Sequence, residues 1–178
     1  MQKETVANIV GALARAVTDA IENDIAMTGH GAAGAAALVH LSKYRGERIN
    51  DLRVPLELSH PGCVRLVDRL EERKLVARSD ASDRRAVAVE LTAGGAAAAR
   101  AALRRRRRTL ARALAVLSPR ELQVLGALAS KVLTGLVRDE PEALRVCRLC
   151  DYRVCPEGVC PVGIALDAAT VRTHRHSN

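Results

Sequence analysis

Four of the five cysteines in this 178-residue chain lie in one short segment, CRLCDYRVCPEGVC, at residues 147–160. Their spacing is C-x2-C-x4-C-x4-C, and the residues are Cys147, Cys150, Cys155 and Cys160. Zinc prefers four such ligands in a tetrahedron, with sulfur at about 2.3 Å. A C-x-x-C turn can bring two thiolates to one ion, and loops of four residues can return the other two. The spacing therefore predicts a four-cysteine metal site, with zinc as the expected ion.

Two other kinds of chemistry remain open for these cysteines. An iron–sulfur cluster also takes four thiolates, and Cys160-Pro161 resembles the Cys-Pro that closes some cluster motifs. A reversible disulfide switch without metal is the third reading. The spacing also resembles that of retroviral-type zinc knuckles, with Cys in place of the third-position His. Because the segment shows no apolar pattern of its own, we expect it to need a metal for its order.

A second group of residues has the chemistry of DNA recognition. Ser59 is a good N-cap and Pro61 suits the first turn of a helix, so a helix begins here. A helix fits the major groove of DNA, and its first residues reach the base edges. The hydroxyl and imidazole can donate or accept, and the arginine can bind guanine or phosphate. The predicted DNA-binding residues on this helix are Ser59, His60, Gly62 and Arg65.

The polar stretch SDASDRR follows this helix and separates two short apolar runs, at residues 75–78 and 86–91. Such a pattern predicts a β-hairpin with a basic tip. Arginines at the tip can reach a minor groove or the phosphates. The hairpin adds Asp83, Arg84 and Arg85 to the predicted DNA-binding residues.

These residues need helices to position them. Apolar residues at steps of three and four predict helices over 3–27, 32–44 and about 59–73, with Val64, Val67 and Leu70 buried in the last. A short helix carries Ile49 and Leu52 inward, and a turn is expected at 54–58. Beyond the hairpin, helices are predicted over 95–116, from Ser118 to near residue 138, and over 163–171. GHGAAG at 29–34 follows a helix rather than a strand, so it is interpreted as an inter-helix turn and not a dinucleotide site.

Composition limits the possible partners. The net charge is +8 and the pI about 9.8, which favours a polyanion such as double-stranded DNA. The sequence has no Phe and no Trp, so its core must be aliphatic. It also lacks an apolar run of about 18 residues and a signal-peptide pattern, so we expect a cytoplasmic protein with no membrane partner. In that compartment, clustered cysteines more often bind metal or do redox work than form structural disulfides.

The stretch LSHPGCVRLVDRLEERKLVARSDASDRRAVAVELTAGG resembles the central signature of the MarR family of bacterial transcriptional regulators. The shared features are LVDRLE in the recognition helix, the D-x-R pair of Asp83 and Arg85 in the wing, and LT before the long helix. The resemblance implies a triangular homodimer that binds a palindrome, with the wing aspartate bracing the arginine that enters the minor groove. Many members have Gln and Thr where this chain has His60 and Gly62, so no operator sequence carries over.

Together these observations predict a mainly α fold with a small β-hairpin wing, a winged helix-turn-helix flanked by N- and C-terminal dimerisation helices. The expected parts are a dimerisation helix (1–30), a DNA-binding lobe (31–95), a connecting helix with the second dimerisation helix (96–140), and a cysteine-rich segment with its tail (141–178). The predicted function is a homodimeric transcriptional regulator, expected to be a repressor. No effector can be named. Because the cysteines follow the dimerisation helix, we expect them to act on DNA binding through the geometry of the dimer.

Three alternatives stay beside this prediction. One is a redox-sensing or iron–sulfur-sensing regulator whose cysteines control DNA binding. Another is a winged helix that docks proteins instead of DNA. The third is a thiol oxidoreductase, suggested by the C-x-x-C of Cys147 and Cys150. That motif normally opens a helix within a βαβ pattern, which this sequence lacks, and no phosphate loop or nucleophile elbow is present. We therefore predict that the protein is not an enzyme.

Overall fold

The structure is a computed structural model that describes residues 2–80, 87–155 and 158–166. Its fold is mainly α with a small antiparallel sheet, a winged helix-turn-helix with long flanking helices, which confirms the predicted fold class. A last helical stretch covers residues 161–166. The preceding elements are α1 (Lys3–Ala26), α2 (Gly31–Lys43), β1 (Glu47–Arg48), α3 (Ile49–Leu56), α4 (His60–Glu72), β2 (Val76–Asp80), β3 (Val87–Leu91), α5 (Ala93–Leu114), α6 (Pro119–Leu136) and α7 (Glu140–Cys147).

One aliphatic core holds the winged lobe together. Helix α2 is apolar on nearly every side because it lies in the middle of this core, packed against α1, α3 and α5. Small residues on α5, Ala99 and Ala102, are almost fully buried and let its backbone approach α2 closely. Leu38, Leu52 and Val67 are fully buried between the helices and the sheet. The core is therefore aliphatic, as predicted, and its helices pack closely through small alanine side chains.

The hairpin predicted from SDASDRR is the pair β2–β3, and a third strand joins it. The sheet order is β1-β3-β2, all antiparallel, with Val76 opposite Leu91 and Asp80 opposite Val87. Strand β1 places Glu47 opposite Val89 and was not predicted, because two residues are too few to show alternation. Glu47 also lies against the fully buried His40, whose Nε2 is 2.6 Å from Glu47 Oε2. This contact ties β1 to the centre of α2.

A glycine fixes the joint between the wing and helix α5. A Cβ built on Gly95 would lie 1.9 Å from the carbonyl oxygen of Leu75, at the start of the wing. That oxygen already accepts hydrogen bonds from the Thr92 backbone N–H at 3.1 Å and the Thr92 hydroxyl at 3.2 Å. Thr92 Oγ1 in turn caps α5 by accepting from Gly95 N at 3.0 Å. The first turn of α5 is thus locked onto the base of the wing.

The flanking helices leave apolar residues uncovered. The C-terminal half of α1 packs into the lobe through Ile21 and Ile25, whereas its N-terminal half does not. None of the residues of α6, all of which the structure describes, is buried. Ser118 and Glu121 begin α6 with a full capping box, as predicted. The large exposed apolar residues of the two helices are Val6, Ile9, Val10 and Leu13 on α1, and Leu122, Val124, Leu128, Val132 and Leu136 on α6.

Two local predictions were wrong, and one helix was missed. The turn expected at 54–58 begins late, because α3 continues to Leu56 with the buried Pro55 inside it, and Glu57 then turns the chain at φ 53°. Val64 is only half-buried; the fully buried position on that side of α4 is Cys63. Helix α7 was not predicted, since its eight residues give too short a periodic pattern. Asp139 caps it by accepting from Glu142 N at 2.9 Å.

Candidate DNA interface and cysteine cluster

Helix α4 presents the predicted DNA-binding residues at its first turns. Ser59 caps the helix, accepting from Gly62 N at 3.2 Å, so part of its hydroxyl chemistry is used within the fold. A Cβ at Gly62 would lie 3.1 Å from Ser59 Oγ, which explains why a glycine fits beside this cap. His60 and Arg65 are exposed and face solvent. The helix therefore offers one imidazole and one guanidinium at its leading end.

A further arginine belongs to the same exposed stripe and was missed by sequence reasoning. Arg69 lies one turn after Arg65 and is also exposed, while Leu66, Val67 and Leu70 point into the core. Residues four apart share a helix face. That spacing, applied from Arg65 onward, would have revealed it. The exposed side of α4 thus carries two arginines one turn apart, and His60 lies exposed at the start of the helix.

Arg78 on β2 fastens the wing to α4. Its guanidinium pairs with Asp68 at 2.5 Å and also with Glu71, and its backbone N–H donates to Glu71 Oε1 at 3.1 Å. The hydrogen bond to Asp68, with the charge of Glu71, raises the pKa of Arg78. The wing and the recognition helix are therefore held at one relative angle. Asp83, Arg84 and Arg85 lie outside the described residues, so their predicted DNA contacts stay predictions.

The four cysteines belong to a C-terminal segment, residues 139–166, that has a small apolar core of its own. Helix α7, the end of α6 and residues 161–166 meet in this core. The expectation that the segment has no core was wrong, whereas its expected dependence on metal stays a prediction. The core gathers residues that are scattered along the sequence and so show no periodic pattern. Its buried members are Val137, Ala143, Cys147, Val162 and Ala165, and Cys150, Tyr152 and Cys160 pack against them.

The thiols interact in pairs within this segment. Cys147 donates a hydrogen bond to Cys150, which lowers the pKa of Cys150 to about 6 and raises that of Cys147. The positive charge of Arg106 on α5 also favours the Cys150 thiolate. Burial and a hydrogen bond with Cys160 raise the pKa of Cys155 to about 11. All four are free thiols, and the charges of Cys155 and Cys160 also raise the pKa of Cys147.

The donor set suits a thiolate-binding metal, but the thiols are not arranged as a finished site. Across residues 2–80, 87–155 and 158–166, no group of three or more His, Cys, Asp or Glu side chains is placed to hold a metal ion. What the structure brings together is two adjacent thiol pairs, 147 with 150 and 155 with 160. Three of the four thiols belong to the small core and Cys155 interacts with Cys160, so the set could close on an ion. The zinc prediction therefore stays a prediction.

The segment does not stand apart from the winged lobe, which corrects the expectation drawn from its position in the sequence. Helix α7 packs against α3 of the same chain. Arg145 of α7 pairs with Glu57 at 3.0 Å, two residues before the cap of the recognition helix. Chain order placed the cysteines after a dimerisation helix, but the chain folds back. The contact between this segment and the lobe lies within one chain, so it does not require the dimer.

A cleft of about 800 Å³ lies between the segment and the lobe. Its lining includes apolar residues such as Leu41, Leu91 and Leu103, charged residues such as Glu90 and Arg100, and residues 150–153. Lys43 closes one side and lies 4.0 Å from the ring centre of Tyr152. The thiol of Cys150 is therefore at the wall of a solvent-accessible space.

Comparison with solved structures gives this fold a family context. The YusO protein from Bacillus subtilis aligns with a TM-score of 0.65 and 21% identity, over 75% of this chain and 98% of its own. RV1404 from Mycobacterium tuberculosis has a TM-score of 0.65 and 22% identity, over 76% and 96%. A mutant of MepR from S. aureus, solved bound to an oligodeoxyribonucleotide, has a TM-score of 0.58 and 21% identity, over 74% and 97%. About a quarter of this chain has no counterpart in these proteins.

Sequence comparison gives no closer relation. No family model matches the chain, and no curated protein matches it. The fold is that of the MarR-type regulators, as the similarity to a mutant of MarR from E. coli at a TM-score of 0.64 also indicates. Within the described residues, no helix is long and apolar enough to cross a membrane.

Proposed function

We propose that this protein is a homodimeric DNA-binding transcriptional regulator that binds a palindromic operator and acts as a repressor in the cytoplasm. The observation that carries the proposal is the exposed surface of α4 beside a wing, where His60 begins a capped helix and Arg65 and Arg69 lie one turn apart. A net charge of +8 suits a polyanionic partner. The similarity to regulators, one of them solved with an oligodeoxyribonucleotide, supports it. The protein is proposed to bind and not to catalyse.

Dimerisation is proposed to cover the uncovered apolar faces of α1 and α6. Large apolar side chains on these helices, such as Leu13, Leu128 and Leu136, are more than half exposed in the single chain. Exposed apolar faces of this extent mark interaction surfaces. A second copy related by a two-fold axis would cover both faces. The two recognition helices would then stand about 34 Å apart, one turn of DNA.

Within the proposed complex the residues divide into two roles. His60 and Arg65 at the leading end of α4 are placed to read base edges, and Gly62 has no side chain to do so. Arg69, further along the helix, suits a phosphate. Arg85 in the wing is predicted to contact backbone and a narrow minor groove. Base contacts give sequence preference, whereas phosphate contacts give affinity that is lost in salt.

The test is selection of binding sites from a random duplex library by the purified protein, followed by fluorescence anisotropy at several salt concentrations. We expect enrichment of a palindrome. Arg65→Ala should weaken sequence preference more than total affinity, and Arg85→Ala should weaken binding to all duplexes and reduce the salt dependence. Arg120→Ala, the same charge change on exposed α6, is the matched control. Failure to enrich any palindrome, or normal binding by both lobe variants, would contradict the proposal.

We also propose that Cys147, Cys150, Cys155 and Cys160 hold one zinc ion per chain, with an iron–sulfur cluster or paired disulfides as the alternative chemistry. The placing of Cys147, Cys150 and Cys160 in one small core, with Cys155 interacting with Cys160, supports this. Zinc would supply a cross-link between α7 and the loop that follows it. Metal and sulfide analysis of protein prepared without oxygen separates the possibilities: one equivalent of zinc in colourless protein, iron with visible absorbance, or neither. Reduction of a model disulfide substrate at enzymatic rates would instead favour an oxidoreductase.

A further inference from the structure

The winged lobe and the proposed dimerisation helix α6 are poorly connected by the helices and strands themselves. Among the described residues, the core of the lobe contains none from α6, and no residue of α6 is buried. A short turn after α5 is its direct covalent link to the lobe. Without another contact, the lobe could tilt relative to α6 at little cost. The C-terminal segment supplies such a contact.

On one side the C-terminal segment is anchored to α6. Leu133 and Val137, at the end of that helix, pack with Ala143 and Cys147 of α7 in the small apolar core. Thr134 Oγ1 also donates to the carbonyl oxygen of Pro161 at 3.3 Å. The cysteines are part of this anchor, since Cys147 is 9% exposed and Cys150 and Cys160 pack beside it.

On the other side the segment is docked on the helix-turn-helix. Helix α7 lies against α3, and Arg145 pairs with Glu57 in the turn that leads into α4. Tyr152 lies against Tyr44, with ring centres 6.4 Å apart, and under Lys43. Leu149 packs against the main core of the lobe. The exposed ion pair is worth little by itself, so the packing of α7 and residues 149–152 makes the attachment.

We propose that the C-terminal segment is an intrachain strut between α6 and the helix-turn-helix, through which the chemical state of the four cysteines sets the position of the recognition helix. This inference rests on the proposed DNA-binding function and names the regulation of that same site. The strut touches α3 and the turn at Glu57, only two residues from the Ser59 cap. Metal binding would repack the anchor around Cys147, and so would oxidation of a thiol pair to a disulfide by a peroxide, which takes up the two electrons and two protons and is reduced to water or an alcohol. Helix α7 would then shift, and α3 would shift with it.

The strut predicts a signal path that differs from one carried by the dimer interface. If the state of the cysteines acted only by weakening dimerisation, operator affinity and dimer dissociation would change together. A strut changes operator affinity and the protection of α3 while the dimer stays intact. Hydrogen exchange of residues 49–60 reports on the strut without DNA. Sedimentation velocity reports on the dimer.

The experiment replaces all four cysteines by Ser, which removes metal binding and disulfides and puts hydroxyls into the anchor. We expect about tenfold weaker operator binding, faster hydrogen exchange at residues 49–60 and an unchanged dimer. The same replacement is then made in a chain already uncoupled by Arg145→Ala and Tyr152→Ala. There the serine replacements should have little further effect on either readout. Arg138→Ala is the matched control, since Arg138, just before the segment, pairs with Glu142 of α7 and not with the lobe.

Each result decides the proposal. Equal effects of the serine replacements in the coupled and uncoupled chains would overturn it, and so would a loss of affinity that follows dimer dissociation. Unchanged exchange at residues 49–60 in the four-serine variant would also overturn it. If the unmodified protein selects no operator, the proposed DNA-binding function fails. Exchange in the four variants still decides whether the strut exists.

Discussion

Adding one methyl group at Gly95 should damage the fold far more than adding it at the neighbouring Gly94. A Cβ at Gly95 would lie 1.9 Å from Leu75 O and 3.1 Å from a methyl of Leu91. At Gly94 the nearest atom, Lys74 O, is 3.4 Å away, an ordinary contact. The two glycines are consecutive in the first turn of α5, but Gly95 is buried and Gly94 is exposed.

The cost at Gly95 can be estimated from what holds the obstructing atom. Leu75 O must retreat by more than about 1 Å, yet it accepts two hydrogen bonds from Thr92. Overpacking costs about 1–3 kcal/mol, and weakening a hydrogen bond about 0.5–1.5 kcal/mol. Replacing a helical Gly by Ala returns about 0.5–1 kcal/mol. Gly95→Ala should therefore destabilise the protein by roughly 2–4 kcal/mol, whereas Gly94→Ala should be neutral or slightly stabilising.

Thermal unfolding followed by circular dichroism checks this at one fixed protein concentration, because dimerisation shifts the melting temperature. For a chain of this size the loss corresponds to a melting temperature lower by roughly 5–15 °C. Since the joint also sets the wing on α5, DNA affinity should fall with it. If Gly95→Ala has the same melting temperature as the unmodified protein, Gly95 is not in close contact with Leu75.

Three further results are expected. Thr109 and Arg112 lower the pKa of Asp24 from its ordinary value of 3.8. The contribution of this carboxylate to stability is therefore present above pH 3.8 and is lost as the pH falls through the lowered pKa. The melting temperatures of the unmodified protein and Asp24→Asn should converge on acidification from about pH 5 to about pH 2. Burial raises the pKa of Cys63, so brief iodoacetamide treatment of the native protein should leave it unlabelled by mass spectrometry. Ser118→Ala removes the capping box of α6 and should lower the free energy of unfolding by about 1 kcal/mol in chemical denaturation. An unchanged denaturation midpoint would show that the capping box does not stabilise the protein.

The sequence by itself determined the winged helix-turn-helix. Its signals are local: an N-cap at Ser59, a Ser-Pro-x-Glu start at residues 118–121, polar turn residues between two apolar strands, and helical spacing of Val and Leu. Local signals of this kind depend on neighbouring residues, so they can be read without knowing what packs on what. The exposed face of α4 could also be predicted from the sequence, and Arg69 was missed only because the helical spacing was not followed one turn further.

Tertiary structure decided what the cysteines touch. The core of the C-terminal segment joins Val137, Ala143, Cys147, Val162 and Ala165, which no period connects, so composition suggested a segment without a core. The docking of α7 on α3 brings Arg145 to Glu57, 88 residues earlier in the chain. The close approach at Gly95 likewise involves Leu75 from another element. Contacts between distant residues depend on how whole elements pack, and packing depends on shape that no local pattern records.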